Sequence, residues 1–104
     1  MVRADEYTRA NPDRLISIGE LCTALSTSRR ALQASFQEIL GISPHVYIRA
    51  ASLNAVRRQL KDPASPYQSV QDAAAAYGFW HMSQFARDYR QMFGEHPSST
   101  LRRR

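Results

Sequence analysis

Two stretches of this chain repeat one another, and a chain that builds the same small unit twice has few folds open to it. Laid over one another at an offset of 53, Leu32, Phe36, Leu40, Gly41, Pro44, Ile48 and Arg49 meet Phe85, Tyr89, Phe93, Gly94, Pro97, Leu101 and Arg102, agreements in kind at one register. Upstream the offset falls to 52, with Ser17, Ile18 and Glu20 over Ser69, Val70 and Asp72. One residue is therefore inserted in the second connecting turn. The repeated unit is a short helix, a turn and a longer helix.

The punctuation within each copy is helical. Ser17-Ile-Gly-Glu20 is a capping-box pattern, in which the hydroxyl satisfies an orphan amide of the first turn and the carboxylate reaches back, and Leu21 and Leu25 follow at helical spacing. A short helix near 18–25 is expected. Ser26-Thr27-Ser28 supplies turn and cap residues, Leu32, Phe36, Ile39 and Leu40 make an apolar stripe that must face a core, and Gly41 stands where a left-handed residue ends a helix, which places a second helix near 28–40. Ser43-Pro44 then opens a long helix near 44–60, unbroken until Pro63. After the break at Pro63-Ala-Ser-Pro66 come a short helix near 70–77 and a longer one near 81–93 with Phe85, Tyr89, Met92 and Phe93 on its stripe, and a last turn opens at Pro97. A leading helix over roughly 3–10 ends before Asn11-Pro12. No five-residue run alternates in the manner of a strand, so the chain reads as all-α, with about seven helices.

Length and charge narrow the function. One hundred and four residues suit one small domain with a modest core and no deep pocket, which argues against an enzyme, and no base, nucleophile and oxyanion donor come together. No apolar run approaches the roughly 18 residues of a membrane span, and the charged start is unlike a signal peptide, so a cytoplasmic chain without a membrane role is expected. Cys22 has no partner for a disulfide and His45, His81 and His96 are scattered, so neither a metal nor a cofactor is expected. Thirteen of the fourteen basic residues are arginine, whose planar fork suits phosphates and guanine edges. Residues 1–21 carry three Arg against four acids, residues 22–61 six basic groups against Glu38 alone, and residues 62–104 five Arg against four acids. A basic middle with an Arg102-Arg103-Arg104 tail has the form of a nucleic-acid footprint.

A short helix, a tight turn and a longer second helix is the helix-turn-helix arrangement, which presents one face of the second helix to a major groove. In the first copy the face opposite the core stripe carries Arg30, Gln33, Ala34 and Gln37, flanked by Arg29. In the second it carries Ser83, Gln84, Arg87 and Gln91, led by His81 and Met82. Arg and Gln make bidentate contacts with guanine and adenine edges. Arg29, Arg30, Gln33, Ala34, His81, Met82, Ser83, Gln84 and Arg87 are the expected base readers, and Ser28, Gln37, Arg90 and Gln91 the expected phosphate contacts.

Over Leu15–Arg104 the sequence resembles the DNA-binding domain of AraC/XylS-type transcriptional regulators. The residues that carry the resemblance are Ser28-Arg-Arg-Ala-Leu-Gln-Ala-Ser-Phe36, Leu40-Gly-Ile-Ser-Pro44, Tyr47-Ile-Arg49, and above all Ala74-Ala-Ala-Tyr-Gly-Phe79 leading through Ser83-Gln-Phe85 to Phe93-Gly-Glu-His-Pro97. It implies two helix-turn-helix units joined by a long helix, inserted into successive major grooves on one face of double-stranded DNA. It also implies a sequence-specific regulator, usually an activator that meets RNA polymerase, with an effector or dimerisation domain that this chain lacks. The implied organisation is a leading segment or linker remnant over 1–14, a first helix-turn-helix over 15–42, the linker helix and its end over 43–62, and a second helix-turn-helix with short terminal helix and basic tail over 63–104. Departures from the family pattern are Ala34 and Ser52 in place of arginines, Asp88-Tyr89 in a usually more basic stretch, and the bulky Trp80-His81-Met82.

Trp80 is expected to pack between turn and core, the alternative being the sugar-phosphate backbone. Cys22 is expected to be a small buried hydrophobe, His45 and His96 to face solvent, and the isolated module to be monomeric. Two other readings stay open: a small helical protein-interaction module, and a stand-alone small regulator without an effector domain.

Overall fold

The structure, a computed structural model, describes residues 2–104. Among them are seven α-helices and no strand: α1 (Val2–Ala10), α2 (Ile18–Ala24), α3 (Arg29–Leu40), α4 (Pro44–Lys61), α5 (Val70–Ala76), α6 (Met82–Phe93) and α7 (Pro97–Arg102). Their ends are made by the residues the sequence offers for the purpose. The hydroxyls of Ser17, Ser28 and Ser69 accept from the amides of Glu20, Ala31 and Asp72, and that of Ser43 from Val46. Gly41 and Gly94 close α3 and α6 in the left-handed conformation, at φ 71° and 77°. The chain divides into two compact units, Met1–Ala51 and Ser52–Arg104, and the boundary falls within α4.

In the first unit Ala4, Ile16, Leu21, Cys22, Leu32 and Phe36 form the buried cluster, with Tyr47 and Ile48 packed against it. The Phe36 ring meets Tyr47 edge-on, 5.2 Å between centroids. A polar clasp ties the segment after α1 to α2: Glu20 accepts from the Arg14 guanidinium, at 2.9 Å on one oxygen, and from the Tyr7 hydroxyl at 2.5 Å. Those bonds, that of Arg14 foremost, pull the Glu20 carboxyl down to about 2 and raise Arg14 above its usual value. The Tyr47 hydroxyl donates to Asp5, and burial pushes that phenol up.

The second unit has the larger core: Leu53, Ala55, Val56, Leu60, Ala73, Ala74, Tyr77, Phe79, Phe85 and Tyr89. The buried Tyr89 hydroxyl pairs with Thr100 Oγ1 at 2.7 Å, and Thr100 in turn donates to Glu95. Arg103 reaches both Glu95 oxygens at 2.6 and 2.7 Å, so the carboxyl is held below its usual range by Thr100 first and Arg103 second. The Arg57 guanidinium lies over the Phe93 ring, 4.8 Å from its centroid.

The two turns show where the repeat loses register. Ser26 (φ 53°) and Gly78 (φ 86°) are the left-handed residues of the first and second turn. Directly after them the amides of Thr27 and Phe79 bond back to the carbonyls of Cys22 and Ala74, each at 3.0 Å. Thr27 and Phe79 are thus counterparts at offset 52. Thr27 is followed at once by the α3 cap Ser28, whereas Phe79 is followed by Trp80 and only then by His81, which precedes α6. Trp80 is the inserted residue.

Several expectations are corrected. Ile39, Leu40 and Met92 are exposed rather than core-facing: the buried side chains are Leu32 and Phe36 on α3 and Phe85 and Tyr89 on α6, with Phe93 packed against the latter core, so each buried stripe is narrower than the apolar spacing. Trp80 is 74% exposed, since Phe79 already fills the space against Phe85, 5.0 Å between ring centroids. The terminal arginines are not a free basic tail. Arg103 pairs with Glu95, and Arg104 donates to the carbonyls of Gln59, Asp62 and Tyr67 at 2.8 to 3.2 Å, satisfying acceptors at the end of α4. His96 is exposed but not idle: its ring nitrogen accepts from the Ser98 amide at the start of α7.

Candidate nucleic-acid interface

Each unit presents a longer helix across a tight turn from a short one, with its inner face fixed by two buried side chains: Leu32 and Phe36 on α3, Phe85 and Tyr89 on α6. Burying those positions leaves the residues between them pointing to water. On α3, Arg30, Gln33, Ala34 and Gln37 are exposed along the outer face. Ser28 is exposed too; its hydroxyl oxygen accepts from the Ala31 amide, which leaves the O–H free to donate to a phosphate. Arg29 turns back across α2: its guanidinium lies 3.5 Å from where a Cβ on Gly19 would stand.

On α6 the exposed set is His81, Ser83, Gln84, Arg87, Arg90 and Gln91. Gln84 and Arg87 are coupled, Gln84 donating to Asp88 at 2.9 Å while its carbonyl oxygen accepts from Arg87 at 3.5 Å. Asp88 thereby fixes which end of the Gln84 amide faces Arg87. Met82 stands apart from this set, being half-buried and packed against the core of the second unit. An apolar groove of about 380 Å³ lies beside it, lined by Val70, Met82, Phe85, Ala86 and Pro97 among others.

Chemically, both faces offer guanidinium and carboxamide groups one helical turn apart, the combination that reads guanine and adenine edges, and neither assembles a catalytic group. No cluster of three or more metal-binding side chains occurs among the described residues, and no described helix is long and apolar enough to cross a membrane. Sequence reasoning did not find the exposure of Trp80. The signal for it was present in the change of offset from 52 to 53, which falls at this residue.

The helix-turn-helix domain family matches residues 21–103. The chain is 39% identical to a probable AraC family transcriptional regulator from Rhodopseudomonas palustris of known crystal structure, with a TM-score of 0.78 over 98% of this chain and 94% of that one. The chain belongs to the AraC/XylS-type helix-turn-helix family. Like other AraC/XylS-type domains, it is a DNA-binding domain of the kind transcriptional regulators carry. It is 40% identical over 102 residues to the XylDLEGF operon transcriptional activator 1 of Pseudomonas putida, covering 98% of this chain and 31% of that protein. With the XylDLEGF operon transcriptional activator 2 of the same organism it shares 37% over 99 residues, 63% of that shorter protein. The AraC/XylS-type chain therefore spans less than two thirds of the length of either activator.

Proposed function

We propose that this domain reads a specific double-stranded DNA sequence through α3 and α6, each entering a major groove, so that one chain recognises two sub-sites in one duplex. The observation that carries the reading is the exposed pair of arginine and glutamine sets, Arg30 with Gln33 and Arg87 with Gln84, each on a helix whose opposite face is locked into a core. Arg30, Gln33, Gln84 and Arg87 read base edges, with Ala34 offering an apolar contact to a thymine methyl. Gln37, Arg90 and Gln91 meet phosphates, and His81 and Ser83 lie at the leading end of α6. Met82 supports this face from below, and Arg29 and Ser28 act at its margin.

The two Pseudomonas putida relatives are named as activators, which supports activation as the output, carried through by an effector or dimerisation domain beyond these residues. In vitro selection from random duplexes, with the Arg30→Ala/Arg87→Ala double variant as control, tests the reading. A motif of two sub-sites about one helical turn apart, lost in the double variant, is the expected result. Enrichment that is unchanged in the variant defeats it.

A second reading, a protein-binding face, has one observation behind it. Ile39 and Val46, 61% and 53% exposed, are large apolar side chains left in water in the first unit, and RNA polymerase is the partner this reading names. Salt separates the two. Phosphate contacts give a slope near −0.9 per neutralised phosphate in a plot of log affinity against log salt, whereas an apolar protein contact responds little.

A further inference from the structure

The exposed Trp80 needs an explanation that the core does not provide. A large apolar residue directly before a helix cap ordinarily packs on the fourth residue of the helix, which here is Phe85. That place is taken by Phe79, 5.0 Å from Phe85, and Trp80 is left 74% exposed. It has no counterpart in the first unit, where Thr27 runs straight into the Ser28 cap. The insertion therefore adds nothing to the repeated scaffold and puts one exposed tryptophan directly before His81, the cap of α6, at the leading end of the helix that carries the exposed Ser83, Gln84 and Arg87. Indoles at interfaces are costly to leave in water and effective when covered.

We infer that Trp80 is a DNA-contacting group of the second unit, laying its ring on apolar duplex surface at the edge of the groove that α6 enters. The inference rests on the reading of α6 as a recognition helix. DNA is the occupant because Trp80 stands one residue before the cap of α6, and because the exposed Arg87 and Arg90 on that helix match an anionic partner. The duplex offers two apolar surfaces there, a deoxyribose ring and a thymine methyl. The contact carries no charge, so it raises affinity without adding to the salt dependence.

Trp80 is the sole tryptophan of the chain, which makes its own fluorescence the test. The whole chain is titrated with a selected duplex, binding being followed by the anisotropy of a dye on the DNA and Trp80 by acrylamide quenching. Quenching is expected to fall on saturation. Trp80→Ala is expected to weaken binding by about 10-fold at every salt concentration, with an unchanged salt slope and an unchanged Tm of the free chain, and Trp80→Phe to recover most of the loss. Replacing each thymine by uracil in turn locates the contact: a loss at one position assigns the methyl, and no loss anywhere assigns the sugar. If duplex binds normally, quenching is the same free and bound and Trp80→Ala binds as wild type, the inference is overturned while the reading of α6 stands. If quenching falls with protein concentration in the absence of DNA, the indole covers a second copy of the chain and the inference is likewise overturned. If the chain shows no salt-dependent duplex binding, both fall together.

Discussion

Gln84, Arg87 and Asp88 illustrate how the proposed reading face is ordered residue by residue. The Asp88 carboxylate holds the Gln84 amide, and the amide oxygen accepts from Arg87, so the two groups proposed to read bases are ordered in the free chain. Removing Arg87 is expected to cost about 1–3 kcal/mol of discrimination at one base pair of the second sub-site. Arg30→Ala is expected to cost more in total affinity. In the first unit residues 22–51 carry Arg29, Arg30 and Arg49 against Glu38 alone, whereas on α6 Arg87 engages Gln84 with Asp88 next to it in sequence, and Arg103 and Arg104 are committed to Glu95 and to backbone carbonyls. Titrating both variants at one fixed salt concentration checks the order, and a larger loss for Arg87→Ala reverses it. Glu20 supplies a test of the scaffold. Its carboxyl is drawn from 4.5 to about 2 by Arg14 and then Tyr7. A depressed folded-state value favours folding where the unfolded group is already ionised, so this contribution is complete above about pH 4.5 and is lost as pH falls towards 2. Glu20→Gln is expected to lower Tm at neutral pH and to flatten the acid limb of the Tm–pH curve. An acid limb that keeps its wild-type steepness contradicts the assignment.

At the scale of elements, the two turns solve one geometric problem with different residues. Both need a left-handed residue after the short helix; the second uses Gly78 and the first uses Ser26. A side chain at positive φ costs about 1–2 kcal/mol, partly offset by the extra chain entropy a glycine brings to the unfolded state. Ser26→Gly is therefore expected to stabilise the chain by about 0.5 kcal/mol, and Gly78→Ala to destabilise it by about 1 kcal/mol. Chemical denaturation of the two variants measures both, and opposite signs are the decisive feature. The helix ends were legible in the sequence because serine caps and glycine stops act within a few residues of themselves. The extent of the buried stripes was not. Leu40 and Met92 have the spacing of core residues but are left exposed, while Phe93, next to Met92, packs against the core.

For the molecule as a whole, the described residues hold two clusters rather than one, six buried apolar residues in the cluster of the first unit and ten in that of the second. Units of about fifty residues bury only a little over half of their unfolded surface and are marginal. Phe36→Ala removes a fully buried ring from the smaller cluster, at a cost of about 3–5 kcal/mol. We expect amides of α2 and α3 to lose hydrogen-exchange protection while those of α5, α6 and α7 keep theirs, with the second sub-site still bound. Loss of protection in both units together would show that the chain folds as one cooperative block. The duplication visible in the sequence foreshadowed two similar units, since matched apolar positions build matched cores. It did not show their unequal sizes, which arise from residues such as Leu53, Val56 and Leu60, placed on the long helix and buried by the second unit.

The sequence by itself determined the helices, their serine caps and glycine stops, the repeated helix-turn-helix and the arginine and glutamine faces, because each of these follows from spacing and chemistry within a single turn or helix. Only the tertiary structure decided which arginines are available and which apolar side chains are covered. Arg104 is withdrawn into the carbonyls at the end of α4, more than forty residues away, and Trp80 is turned out because Phe79 reached Phe85 first. Both outcomes depend on competition between distant groups for one place, and only the assembled packing settles such a competition.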